Sequence, residues 1–182
     1  NEIFTYTLMD GDGDTSVSTL DIRVTPDGEP VAVSKEIAAD ETNLTPGPMV
    51  LNGHLDVDFG VDGGGTISSS GSFAASGYLM GGALTHKGIP VDVTPTAQGY
   101  VGTAGGTTIF TIEVQDNGDY RFELLETIDH ADSTDPNDII TLEFGITLMD
   151  GDGDTAPGTI TVHVHDDAPV AYDDLGAMVE ED

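Results

Sequence analysis

The nine residues TLMDGDGDT occur at 7–15 and again, letter for letter, at 147–155. Each copy sets three aspartates two residues apart with glycine between them: Asp10, Asp12 and Asp14, then Asp150, Asp152 and Asp154. Carboxylates this close repel one another, and a hard divalent cation relieves the repulsion. Calcium takes about six to eight oxygens at about 2.3–2.6 Å, from carboxylates and backbone carbonyls. Glycine lets the backbone turn sharply enough to bring several such oxygens inward. The spacing therefore predicts a calcium-binding loop in each copy. The fit to an EF-hand loop is partial: the glycine after the third acidic position and the bidentate Glu at position 12 are missing, and the flanks read as strands. Magnesium suits the loops less well, because it keeps several waters and is seldom held in an all-protein cage. The plain alternative is an acidic hairpin turn, where Asp-Gly is common in any case.

More acidic residues close the strand after each loop: Asp27 and Glu29 in DGEP, and Asp166 and Asp167 in DDAP. About ten to twelve residues separate loop from exit segment, roughly 33–40 Å at strand rise. The two then lie at opposite poles of one folding unit. Two arrangements stay open. In one, Asp150, Asp152 and Asp154 lie where Asp27 and Glu29 leave a preceding unit, and calcium stiffens the joint while Pro30 and Pro169 restrict its backbone. In the other, each loop closes its own site and the exit acids are solvated. Asp129, Asp132, Asp135 and Asp138 in DHADSTDPND read as a solvated loop ahead of a second calcium site. Asp58 and Asp62 read as turn residues, and Asp173 and Asp174 as ligands only where a further unit follows.

Five histidines raise the question of catalysis. His163 and His165 share a strand face, but a zinc site needs a third donor and usually a fourth, and the nearby sequence offers no obvious one. His54 and His86 fall in loops, and His130 reads as a hydrogen-bonded structural residue. No G-x-S-x-G elbow, phosphate-binding loop or HExxH pair occurs. The paired carboxylates could in principle hydrolyse glycosides, but they sit in glycine-rich turns and the chain has no Trp to form a sugar platform. The sequence predicts no enzyme.

The remaining composition sets outer bounds. Against 34 Asp and Glu stand only Arg23, Lys35, Lys87 and Arg121, for a net charge of −30. Such a chain does not bind nucleic-acid phosphates or an anionic membrane through its own charge. Self-repulsion opposes the compact state unless counter-ions bind. A disordered acidic tail would lack the 37% hydrophobic content and the regular apolar runs. Cysteine is absent, which excludes disulfides and thiolate metal sites. No apolar run approaches the length that marks a membrane-spanning helix, and no signal peptide or anchor is visible.

Strand signals dominate the chain. IFTYTL, TLDIRVT, TIFTIEV, YRFELL, IITLEFGITL and TITVHVH are rich in Thr, Ile, Val and aromatics, several alternating with period two. DGDG, DGGG and DNGD punctuate them. VQDNGDYRF predicts a hairpin with Asn117 and Gly118 at positions of positive φ. No segment of ten or more residues carries a helical stripe. The fold class is all-β, a β-sandwich.

The repeat extends beyond the nine letters. Phe4 matches Phe144, Leu20 matches Ile160, Ile22 matches Val162 and Val24 matches Val164; DGEPVAV at 27–33 then matches DDAPVAY at 166–172 with one residue of slippage. The nine-letter copies begin at Thr7 and Thr147, and that offset sets the period. Residues 1–33 read as the C-terminal strands of a preceding repeat, 34–172 as one complete unit and 173–182 as the linker into the next. Units of this length bury their own cores and form a string of domains. NEIFTYTL reads as the middle of a strand, so the chain is expected to belong to a longer one.

FGITLMDGDGDTAPGTITVHVHDDAPVA resembles the end of the tandem repeat, of this same period, found in giant RTX-type adhesins, which leave Gram-negative bacteria by type I secretion. Upstream, FGVDGGGTI, LTHKGIPV, GYVGTAGGTTIFTIEV and NGDYRFELLETIDH follow the order of the same repeat. The resemblance spans 34–172, with its tail repeated in 1–33. It implies a calcium-binding Ig-like or cadherin-like β-sandwich, extracellular on the bacterial cell surface, that extends or carries the adhesive parts. The implied partners are neighbouring repeats of the same chain, with a host, surface or biofilm ligand as a further one, and the chain acts as a monomer. DGEP departs from the paired aspartates of the family, which leaves the assignment of Glu29 as a ligand open. The alternative is a module that itself grips a sugar, peptide or surface through 71–88, where Tyr78, Leu79 and Met80 stand in a Gly- and Ala-rich stretch.

Overall fold

A computed structural model of the chain describes residues 1–24, 28–61, 63–132, 135 and 137–167. The described residues form thirteen strands: β1 (Glu2–Met9), β2 (Thr15–Ile22), β3 (Val33–Asp40), β4 (Met49–His54), β5 (Thr66–Gly77), β6 (Thr85–His86), β7 (Ile89–Pro90), β8 (Asp92–Pro95), β9 (Gly99–Ala104), β10 (Thr107–Val114), β11 (Asp119–Leu124), β12 (Ile139–Met149) and β13 (Thr155–His165). Helical structure among them is confined to two 3-10 turns, Glu41–Leu44 and Met80–Gly82. No described helix is long and apolar enough to cross a membrane.

The molecule is a β-sandwich. A five-stranded sheet, in the order β4-β11-β10-β9-β8, and a four-stranded sheet, in the order β3-β13-β12-β5, enclose the core between them. Its cause is legible in the period-two pattern. Along β12, Ile140, Leu142, Phe144, Ile146 and Leu148 alternate inward; along β13, Ile160, Val162 and Val164 do the same. Branched and aromatic side chains suit this half-buried pleated surface. Phe144 stands at the centre. Its ring lies 5.3 Å from Phe73 of its own sheet and 5.5, 5.7 and 6.4 Å from Tyr100, Phe110 and Phe122 of the other, the spacing at which aromatic pairs attract. The Tyr100 hydroxyl crosses the core to the carbonyls of Ser72 and Gly145, at 2.9 and 2.6 Å. Gly102 pairs with Phe110, and a Cβ there would lie 2.5 Å from the Phe110 ring. The ring occupies the space that a side chain would need.

Strand pairing is antiparallel except between β3 and β13, which run parallel from Val33↔Gly158 to Asp40↔His165. The β10–β11 hairpin forms as expected, but with a different turn. Gly118 alone takes a positive φ, +89°, while Asn117 does not. Gly118 N–H donates to the Gln115 carbonyl and Gln115 N–H to the Asp119 carbonyl, both at 2.8 Å. This three-residue loop, Asp116 to Gly118, needs one left-handed residue, where the two-residue Asn-Gly turn needs two.

Strands β1 and β2 form a sheet of their own whose residues are all exposed. Their register reproduces that of β12 and β13 one period later: Phe4↔Leu20 against Phe144↔Ile160, and Met9↔Thr15 against Met149↔Thr155. The environment is reversed. Phe4, Leu8 and Leu20 are 50, 64 and 53% exposed, whereas Phe144, Leu148 and Ile160 are 0% exposed.

Candidate metal centre

The two acidic turns share one backbone frame. Asp10 N–H donates to the Asp14 carbonyl at 3.0 Å, and Asp150 N–H to the Asp154 carbonyl at 3.1 Å. In each, the first aspartate turns its Oδ1 back into the loop. Asp10 Oδ1 accepts from Gly13 N–H (3.1 Å) and Asp14 N–H (2.8 Å), and Asp150 Oδ1 from Gly153 N–H (3.0 Å) and Asp154 N–H (2.8 Å). Gly13 and Gly153 take φ of +101° and +109°, a region closed to most side chains, which explains the last glycine of each DGDGD.

This frame brings the carboxylates together. Asp10, Asp12 and Asp14 each offer an oxygen within 4.8 Å of the others, and so do Asp150, Asp152 and Asp154. Asp150 is buried where Asp10 is exposed, and its Oδ2 has no hydrogen-bond partner. A buried anionic oxygen without a partner is costly, and a cation at the mouth of the loop would satisfy it. The donor set is all oxygen, which suits calcium. Burial pushes the Asp150 carboxyl up, but hydrogen bonding with Asp152 and with the N–H groups of Gly153 and Asp154 holds it below the ordinary range. Asp10 is also held down, first by hydrogen bonding with Asp12. Both groups are ready as anions at neutral pH.

The exit acids fall differently. Asp27 lies outside the described residues. Glu29 is exposed and stands at the same pole as the Asp150 turn: Val31 N–H donates to the Asp58 carbonyl at 3.0 Å, and Phe59 lies against Gly65 beside Met149. Among the described residues Glu29 is not gathered with Asp150, Asp152 and Asp154. Asp166 and Asp167 lie at the other pole, eleven strand residues away, about 36 Å at strand rise. Asp167 is exposed and Asp166 half-buried.

The lesser candidates are mostly turn and network residues. Asp129 accepts from Lys87 N–H and Gly88 N–H at 2.8 and 2.7 Å, Asp58 from Gly60 N–H at 2.9 Å, and Asp135 from Asn137 N–H at 3.0 Å. His54 closes β4 and His86 lies in β6, where loops are expected; His54 meets Asp119 (2.9 Å), His86 the Thr127 carbonyl (2.6 Å) and His163 the Thr141 hydroxyl (3.1 Å). Asp62, Asp173, Asp174, Pro136 and Pro169 lie outside the described residues.

Spacing along the chain holds no sign of a third cluster. Glu41, His130 and Asp166 bring donor atoms within 4.8 Å of one another. Glu41 follows Asp40 at the end of β3, Asp166 follows its partner His165 at the end of β13, and Asp138 precedes Ile139 at the start of β12. Parallel pairing of β3 with β13 thus joins residues from the two ends of the unit. Burial, then the negative charges of Asp166, Asp167 and Asp129, push the Glu41 carboxyl up to about 8 against the opposing hydrogen bond from Ile128 N–H. Burial likewise raises Asp166. A raised carboxyl means that the folded state binds more protons than the unfolded one between about pH 4.5 and pH 8, so stability is highest below that window and falls as pH rises through it. In chelator, the urea midpoint of Glu41→Gln is expected to fall less steeply between pH 4.5 and 8 than that of the unaltered protein. Parallel profiles would assign the slope to other groups.

No curated protein and no solved structure matches the chain. A family model, described only as a domain of unknown function (DUF5801), matches residues 36–163, inside the unit expected at 34–172; the chain belongs to that family.

Proposed function

We propose that the chain is a calcium-stabilised extender module of a large tandem-repeat adhesin, exported by type I secretion and displayed on a bacterial cell surface. The observation that carries this reading is the doubled acidic turn. Two loops at matching places in the repeat fold with the same hydrogen bonds, gather three carboxylates each within 4.8 Å, and in the buried copy leave Asp150 Oδ2 unpartnered. Calcium supplies the positive charge that lets these carboxylates stay together. Asp150, Asp152 and Asp154 hold it, the backbone of the turn orients them, and the β12–β13 hairpin transmits the order into the core. For extracellular modules the dissociation constant is about 10⁻⁴–10⁻³ M. The loops would thus be empty at cytosolic calcium and filled outside, leaving the chain loose for export and stiff afterwards.

The tandem arrangement is supported by β1 and β2. Phe4, Leu8 and Leu20 stand where Phe144, Leu148 and Ile160 are buried in the complete unit, so the hairpin is the closing pair of a sandwich whose other strands precede it. The rival reading, a ligand-gripping module, draws on Tyr78 and Met80, which are about half exposed. Small-angle scattering on several consecutive units separates the two. The extender reading expects a longer, stiffer particle in millimolar calcium than in chelator and no specific hit on glycan or peptide arrays. Unchanged scattering together with a specific array hit would replace it with the rival.

A further inference from the structure

We infer that Glu41, His130 and Asp166 form a second metal site, built for a transition ion of the zinc class rather than for calcium. This site lies at the pole opposite the Asp150 turn and stands independently of the extender reading.

The geometry begins with His130. Its side chain is 3% exposed, and its Nδ1 contacts the Asp138 carboxylate. Asp138 is itself fixed, with Oδ2 accepting from Asp132 N–H at 3.0 Å and its backbone carbonyl accepting from Asp166 N–H at 3.2 Å. With the Asp138 carboxylate at Nδ1, the neutral tautomer of His130 carries its proton there and its lone pair on Nε2. That Nε2 is buried and has no hydrogen-bond partner. What it faces is another acceptor: Glu41 Oε1 lies 3.9 Å away, beyond hydrogen-bonding distance. Glu41 is held in place by Ile128 N–H, which donates to Oε1 at 2.7 Å. Asp166 completes the set. A buried imidazole nitrogen without a partner, facing the carboxyl groups of Glu41 and Asp166, is a donor set that a bound cation would complete.

The donors decide which ion fits. An imidazole nitrogen with two carboxylates suits zinc and its neighbours, at about 2.0–2.2 Å from each donor. Calcium prefers about six to eight oxygens, whereas the donors gathered here among the described residues are two carboxyl groups and one nitrogen. The carboxylate on the far nitrogen is the outer-shell partner that metal-bound histidines almost always carry. Three protein donors leave one coordination position for water. Bound there, the ion would tie the ends of β3 and β13 to the loop carrying His130, all at the pole where the chain leaves the sandwich.

The test is zinc titration by calorimetry on protein saturated with calcium, so that the acidic turns are already occupied, followed by cobalt substitution read in the visible spectrum. One zinc per chain is expected, with cobalt bands that indicate a low-coordinate site. Glu41→Gln keeps an oxygen to accept from Ile128 N–H and removes only the charge, so it should fold and yet bind zinc at least about tenfold more weakly. Asp138→Asn should weaken binding about 10- to 100-fold through His130. His163→Ala, on the outer face of β13, should change nothing. Absence of zinc binding, binding that Glu41→Gln leaves intact, or zinc that calcium displaces at comparable concentration would each overturn the assignment.

Discussion

Calcium at 100 times its dissociation constant should raise the melting midpoint of the sandwich by roughly 5–11 °C through the Asp150 turn, combining about 2.7 kcal/mol of linkage for one site with about 2–4 °C per kcal/mol for a chain of this length. Asp152→Ala should remove most of the shift. Asp12→Ala, the same change in the other copy, should leave it nearly intact. The two turns have the same backbone frame, but the second closes the hairpin at the centre of the core, whereas the first closes a hairpin whose residues are all exposed. Ion binding stabilises only what unfolds with the site. Scanning calorimetry of the three proteins in calcium and in chelator measures this, and equal melting of the unaltered protein in both conditions would end the calcium reading.

The second large effect isolates burial at constant sequence position. Phe144→Ala should cost about 3–5 kcal/mol, the range for deleting a fully buried aromatic ring, because it empties the space among Phe73, Tyr100, Phe110 and Phe122. Phe4→Ala, at the matching position of the first copy, should stay within about 0.5 kcal/mol, as surface changes do. Urea unfolding of both variants gives the comparison. In a longer chain with the preceding unit complete, Phe4→Ala should become as costly as Phe144→Ala. A persistently neutral Phe4→Ala in that chain would mean that β1 and β2 do not close a sandwich.

These two pairs also indicate what a sequence alone can reveal. Period-two alternation identifies β10, β11, β12 and β13 because each buries one face, and the repeated DGDGD stands out because its residues are adjacent in the chain. Neighbours brought together by pairing are different. β5 carries serine, glycine and alanine where strand formers are expected, and part of it reads as a contact surface; it pairs with β12 all the same, with Ala75 opposite Leu142 and Phe73 opposite Phe144. Tertiary context outweighs weak strand propensity there. Glu41 and Asp166 are joined by the parallel β3–β13 register, and His130 reaches them from a separate loop held by Asp138; no local pattern encodes either meeting. Asn117-Gly118 marks a hairpin correctly, but the dipeptide does not fix how many residues the turn spans.

The parallel pairing of β3 and β13 has a mechanical consequence. The chain enters the sandwich at Val33, beside Gly158, and leaves it at His165, beside Asp40. A pull on the two ends therefore drags the strands lengthwise past each other, loading the rungs of that ladder together. A hairpin pulled at its open end, by contrast, peels one rung at a time. The first and last strands of the unit thus form a shear clamp, and tension along a row of such units would meet its resistance at that seam.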